Sequence, residues 1–213
     1  MANSILWTRM RNMTKLTHRL ASLLETAARA LRSYGRDEGK VLVLGGVRSG
    51  KSRHAESLIA HHAHVVYVAT GVPPSDDDSD WAARVAAHKE RRPSSWRTVE
   101  TGDLTTVLRG ASRPLIIDCL GTWLTRVLDD VGAWEQKRGW ELRLDDRLED
   151  FLAAWASVRV PVVLVSNEVG SGVVPGTVSG RLFRDVLGAL NNRVAADADR
   201  VQLVVAGRVL DLP

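Results

Sequence analysis

The octapeptide Gly45-Gly46-Val47-Arg48-Ser49-Gly50-Lys51-Ser52 constrains this chain more than any other stretch. It has the spacing G-x-x-x-x-G-K-[ST], follows the apolar run Val41–Leu44 and precedes the helical stretch Arg53–Ala60. A strand that delivers a glycine-rich loop into a helix N-terminus turns backbone N–H groups around phosphate oxygens, and the helix end adds partial positive charge. In such a loop Lys51 reaches the β- and γ-phosphates and the Ser52 hydroxyl ligates Mg²⁺. A second acidic group normally ends a neighbouring strand. Leu115–Ile117 followed by Asp118 has that form, and Asp118 holds Mg²⁺ directly or through water. These residues predict an Mg²⁺-dependent nucleotide-binding protein; they leave the base and the reaction open.

The rest of the body alternates in the same manner. Apolar, β-branched runs occur at Val41–Leu44, Val65–Ala69, Leu115–Ile117, Val160–Val165 and Val201–Val205. Helical stretches lie near 51–62, 79–90, 101–110, 119–131, 139–157 and 178–197. Strands that are apolar without clean alternation are buried on both faces. Alternating β and α elements predict an α/β fold, a mostly parallel sheet with helices on both sides. The acidic run Asp76, Asp77, Asp78 and Asp80 reads as a solvated loop.

Charge separates two domains. Residues 1–40 hold eight Lys/Arg against three Asp/Glu, and the other 173 residues hold 21 against 22, so the +4 of the chain belongs to its N-terminal segment. There, Leu16, Leu20, Leu23, Leu24, Ala27 and Leu31 recur at helical spacing and Gly35 supplies a stop. The expected division is a basic amphipathic helical extension over 1–39, with its helix at 14–34, and a nucleotide-binding catalytic domain over 40–213. The balanced body carries no nucleic-acid footprint. One cysteine, Cys119, excludes a disulfide framework and a cysteine-built zinc site and suits the cytoplasm. No stretch reaches the roughly 20 apolar residues of a transmembrane helix.

Past His18 in the N-terminal segment, the histidines fall into two groups. His54, His61, His62 and His64 lack metal-site spacing and read as surface or capping residues. His88 stands among five cations, Arg84, Lys89, Arg91, Arg92 and Arg97. Cations gather around phosphates, and a neutral imidazole is a competent nucleophile towards phosphorus. The residues alone leave two readings open, a covalent role or a basic helix face with an incidental histidine.

Several blocks occur in order: the P-loop extended through Arg53-His54-Ala55-Glu56, then Tyr67-Val68-Ala69-Thr70, then His88-Lys89-Glu90-Arg91-Arg92-Pro93 with Trp96, Thr98 and Glu100. Asp118-Cys119-Leu120 follows, then Asn167-Glu168-Val169-Gly170-Ser171-Gly172-Val173-Val174-Pro175, Arg181-Leu182-Phe183-Arg184-Asp185 and Asn191-Asn192-Arg193. The set closely resembles the bifunctional adenosylcobinamide kinase/adenosylcobinamide-phosphate guanylyltransferases of cobalamin biosynthesis, over about residues 41–208. The H-[KR]-x-x-R-P-x-x-W-x-T-x-E and N-E-V-G-x-G-x-V-P blocks make the resemblance specific.

The resemblance implies a P-loop NTPase (RecA-like) fold and two reactions. A nucleoside triphosphate, ATP or GTP, phosphorylates adenosylcobinamide. GMP then passes from GTP to adenosylcobinamide phosphate, releasing pyrophosphate, through a GMP–histidine intermediate that maps onto His88. It also implies nucleotide contacts at Thr70, Gly71, Val72, Glu100 and Asp118, with Lys89, Glu90, Arg91 and Arg92 flanking. Glu100 serves either guanine recognition or Mg²⁺. Asn167–Pro175 belongs near the active site, and the assembly is a homotrimer. Three departures stand out: Asp80-Trp81 where the family commonly has Glu-Met, glycine at 71, and residues 1–40 without counterpart in short members. The competing readings are a small-molecule P-loop kinase without a covalent intermediate and a non-catalytic nucleotide switch.

Overall fold

The computed structural model describes residues 39–71, 90 and 92–213. The expected helices at 14–34 and near 79–90 lie outside those residues, apart from position 90. The strands are β1 (Lys40–Gly45), β2 (Val66–Ala69), β3 (Arg97–Glu100), β4 (Leu115–Asp118), β5 (Val162–Asn167), β6 (Arg200–Val205) and β7 (Arg208–Leu212). The helices are α1 (Lys51–Ile59), α2 (Leu104–Arg109), α3 (Leu120–Val131), α4 (Trp140–Ser157) and α5 (Val178–Ala196). Among the described residues, one seven-stranded sheet has the order β3-β2-β4-β5-β1-β6-β7. Every pairing is parallel except the β6–β7 hairpin. This is the predicted architecture, with β5 inserted between the P-loop strand β1 and the Asp118 strand β4.

Strand alternation distributes the apolar residues to two cores. Val41, Val43, Tyr67, Ile116, Val163 and Val165 face Ala55 and Ile59 of α1 and Trp96. Leu42, Val68, Leu115, Ile117, Val162 and Leu164 face α2 to α5, whose contributions include Leu108, Trp123, Phe151, Trp155 and Leu187. Among the described residues, one helix covers the first face and four cover the second. Both faces of the central strands are therefore dry, which explains their continuous apolar runs.

Two strands escaped the sequence reading. β3 is four residues long at the sheet edge and mostly exposed, so Arg97-Thr98-Val99-Glu100 has little apolar signal. β7 is exposed along its whole length. Its signal was the turn: Ala206 (φ 50°) and Gly207 (φ 74°) make a two-residue hairpin connection, which favours a positive-φ pair ending in glycine. β5 also runs further than the expected Val165, carrying Ser166 and Asn167 to the C-terminal edge of the sheet.

Candidate active site

The loop from Gly45 to Ser52 is held by its own atoms and by two neighbours. Ser49 N–H donates to Gly46 O (3.3 Å), and Lys51 N–H to Ser49 Oγ (3.4 Å). From outside, Glu168 N–H donates to Gly45 O (3.1 Å) and Gly207 N–H to Ser49 O (2.8 Å). Two glycines are required by geometry. A Cβ at Gly45 would lie 2.5 Å from Ser49 Oγ and 2.7 Å from Val204 O, and Gly50 sits at φ 97° at the N-cap of α1. Arg48 adopts φ 57°, an unusual conformation for a residue with a side chain. The Lys51 ammonium bends back across the loop to donate to Gly46 O at 3.2 Å, so its charge lies over the loop backbone. Val47 and Arg48 are exposed on the rim.

Across β5, Asp118 ends β4. Register puts Glu100, Ala69, Asp118 and Val165 in one row across β3, β2, β4 and β5. Gly45 pairs with Asn167, two residues beyond that row. At the usual strand spacing, Glu100 and Asp118 are about 10 Å apart, two strands removed from each other. The carboxylate of Asp118 accepts from the Tyr67 hydroxyl at 2.7 Å. Burial, then the charge of Asp118, pushes the Tyr67 phenol far above its ordinary range. The Tyr67 hydroxyl therefore keeps its proton and serves as the donor in this bond. The Arg92 guanidinium carbon lies over the Tyr67 ring, 3.3 Å from its centroid, and the group donates to Thr98 Oγ1 at 3.0 Å.

Thr70 is 0% exposed. Its hydroxyl accepts from Cys119 N–H (2.9 Å), donates to Cys119 O (2.7 Å) and meets Thr122 Oγ1 at 2.6 Å. The side chain thus ties the end of β2 to the turn after Asp118, where the Asp118–Cys119 peptide is cis. Arg126 of α3 reaches Thr70 O at 3.4 Å. Cys119 contacts Asn167 Oδ1 at 3.5 Å, and burial followed by the Asp118 charge raises its pKa, so the thiol stays neutral. Asn191 of α5 accepts from Ser166 Oγ (2.6 Å) and donates to Asn167 O (3.0 Å), which fixes the end of β5 between the two walls.

The structure thus brings Gly45, Gly46, Val47, Arg48, Ser49, Gly50, Lys51 and Ser52 to the same sheet edge as Thr70, Gly71, Glu100 and Asp118. Arg92 packs on Tyr67, and Glu90 is exposed. Val72, His88, Lys89 and Arg91 lie outside the described residues. Tyr67, Arg126 and the Ser166–Asn191 pair were assigned no role from sequence; the available signal was polar or phenolic side chains interrupting apolar strands. One expectation is corrected. His54 is not a surface or capping residue: it is half-buried, and its Nε2 lies 2.7 Å from Gln202 Oε1. Gln202 in turn donates to Asp211 at 2.7 Å, so α1 is joined to β6 and β7. His61 and His62 follow the end of α1 with their rings 4.3 Å apart.

The family model for cobinamide kinase / cobinamide phosphate guanyltransferase matches residues 41–212. The chain belongs to this family. It is accordingly an enzyme of cobalamin biosynthesis, a kinase and guanylyltransferase by family. The bifunctional adenosylcobalamin biosynthesis protein CobU of Salmonella typhimurium is 41% identical over 176 residues, covering 78% of this chain and 96% of that protein. CobU of Escherichia coli is 38% identical over 176 residues, with the same coverage of 78% and 96%. CobP of Pseudomonas aeruginosa is 39% identical over 178 residues, 80% of this chain and 95% of the relative. Among solved structures, a prototypical ATPase from the type III secretion system of pathogenic bacteria aligns with a TM-score of 0.49 at 14% identity, over 78% of this chain and 50% of its own.

Proposed function

We propose that this chain phosphorylates adenosylcobinamide with ATP or GTP and then transfers GMP from GTP to adenosylcobinamide phosphate, through a GMP–His88 intermediate. The observation that carries the reading is the pairing of a complete P-loop with Asp118 across β5, in a chain of this family. In the first reaction the substrate hydroxyl attacks the γ-phosphorus and a nucleoside diphosphate leaves. In the second, an imidazole nitrogen of His88 attacks the α-phosphorus of GTP; an N–P bond forms and the P–O bond to pyrophosphate breaks. A phosphate oxygen of the acceptor then attacks that phosphorus, the N–P bond breaks and a P–O–P linkage forms. Lys51 and the loop N–H groups stabilise the charge that gathers on the leaving phosphates in each reaction. Lys89, Glu90, Arg91, Glu100, Gly71 and Val72 complete the nucleotide surroundings in this reading.

Mg²⁺ fits the residues present. The Ser52 hydroxyl and Asp118 carboxylate supply oxygen donors only, the choice of a hard cation. Among the described residues no group of three or more His, Cys, Asp or Glu is arranged to cage a metal, as suits an ion held mainly by substrate phosphates. Ser52 and Asp118 would hold the ion, whose chemistry is to neutralise developing phosphate charge. With one Asp118 oxygen bonded to Tyr67, the carboxylate is fixed in orientation.

Residues 40–213 are the catalytic unit in this reading, in keeping with the family match over 41–212. A cytoplasmic homotrimer is part of the same proposal; among the described residues no helix is long and apolar enough to cross a membrane. The test is incubation with α-labelled GTP and Mg²⁺ in the absence of corrinoid. The protein should acquire an acid-labile, alkali-stable label that adenosylcobinamide phosphate removes. Labelling of His88→Ala at the parental level overturns the covalent assignment. Unlabelled parent that still phosphorylates adenosylcobinamide leaves the simple kinase.

A further inference from the structure

Helix α5 carries an arginine to which the two reactions, as set out above, give no task. α5 connects β5 to β6, which run in the same direction on either side of β1. The helix therefore returns antiparallel to the strands, with its first turns beyond their C-terminal edge. Asn191 marks the level of that edge through its bonds to Ser166 and Asn167. Arg184 precedes Asn191 by seven residues, two turns or about 10 Å, on the face that also holds buried Leu187. It thus stands over the strand ends that bear the P-loop and Asp118.

Nη1 of Arg184 is buried and has no hydrogen-bond partner. Among the described residues, Arg184 is in none of the ion pairs. A buried guanidinium N–H left unsatisfied is costly, and one that persists in a folded protein marks a place where an ion, a ligand or a water completes it. Its surroundings are built. Arg181, one turn earlier, donates to Pro175 O and Gly176 O, both at 3.0 Å. Thr177 Oγ1 caps the helix by accepting from Gly180 N–H at 3.1 Å. At the other end of the loop, Glu168 Oε1 accepts from Gly170 N–H (2.6 Å) and Ser171 N–H (3.0 Å). The loop is thus pinned at both ends, and the helix that follows it carries two guanidinium groups without a carboxylate partner on consecutive turns.

We infer that Arg184 receives the phosphate monoester of the acceptor in guanylyl transfer, with Arg181 adding charge; this rests on the function proposed above. The nucleotide phosphates already have the P-loop, Lys51 and the N-terminus of α1, on the opposite face of the sheet. A second anion approaching from the α5 face is the acceptor. A guanidinium fork matches a phosphate dianion in charge and shape.

The test compares the parent with Arg184→Gln and Arg184→Lys in the full chain. Quenching of tryptophan fluorescence measures binding of adenosylcobinamide and of its phosphate, independently of turnover. The parent should favour the phosphorylated corrinoid by roughly tenfold or more. Arg184→Gln should bind both alike, and Arg184→Lys should fall between. In turnover, Arg184→Gln should raise KM for adenosylcobinamide phosphate by the same factor, leaving KM for adenosylcobinamide and labelling from GTP within twofold. A parental preference retained by Arg184→Gln, or a parent without preference, overturns the assignment. A raised KM for GTP in the labelling reaction gives Arg184 to the nucleotide instead. If Arg184→Gln does not fold, Arg184→Lys decides: retention of the full preference and KM sinks the fork argument. Parent that binds with the expected preference but takes no label refutes the covalent step and leaves the phosphate site standing.

Discussion

The P-loop and the Asp118 corner face each other across β5, and they are made in opposite ways. The P-loop is largely local: eight consecutive residues, two required glycines and a helix start set its shape, with Glu168 and Gly207 as outside braces. The Asp118 corner is assembled from distant residues. Tyr67 lies 51 positions away, Thr70 lies 49 from Cys119, and Arg126 reaches back 56 to Thr70. One wall is a motif, and the other is a consequence of strand order. Chemistry and stability should therefore separate on the first wall and mix on the second.

Lys51→Ala should produce the largest effect. It removes the charge over the loop, and both the kinase and guanylyl-transfer rates should fall about 10²–10³-fold, the usual loss for a transition-state donor. Urea unfolding should stay within about 0.5 kcal/mol of the parent, because the ammonium is not part of a core. A strongly destabilised Lys51→Ala breaks the comparison at its first term. Thr70→Val keeps shape and deletes a fully buried hydroxyl that both accepts from and donates to the Cys119 backbone. It should cost about 1–3 kcal/mol in unfolding, since Cys119 N–H is left unsatisfied, and lower activity as well. Unchanged stability would mean that the corner does not depend on that bridge. Tyr67→Phe is the mildest change. It should cost about 1 kcal/mol and reduce the apparent Mg²⁺ affinity in metal titration of the nucleotide-bound protein, with the nucleotide's own affinity little altered. A variant that loses stability but titrates Mg²⁺ like the parent would make Tyr67 a packing residue only.

Legibility from sequence followed the same divide. The strands at 41–44, 65–69, 115–117, 160–165 and 201–205 were readable because a sheet covered on both faces selects continuous β-branched runs. β3 and β7 were not, because exposed edges impose little on composition. Gly45, Gly50, Lys51 and Ser52 were legible through spacing alone. Arg92 was legible as one of a group of cations, but its packing on Tyr67 was not, since it depends on β2 and β3 lying side by side. His54 was misread for a related reason: its partner Gln202 is 148 residues away, and no local pattern announces it.

The amino-acid sequence by itself determined the class of fold, the phosphate-binding loop and the family, because these depend on hydrophobic period, backbone freedom at glycine and fixed spacing. Tertiary structure decided how the second wall is built. It put β5 between β1 and β4, aligned Glu100 with Asp118 at one edge, gave Asp118 to the Tyr67 hydroxyl, and left Nη1 of half-buried Arg184 without a hydrogen-bond partner. Those outcomes rest on contacts between residues far apart in the chain, where the energy lies in burial and hydrogen-bond completion rather than in any local preference.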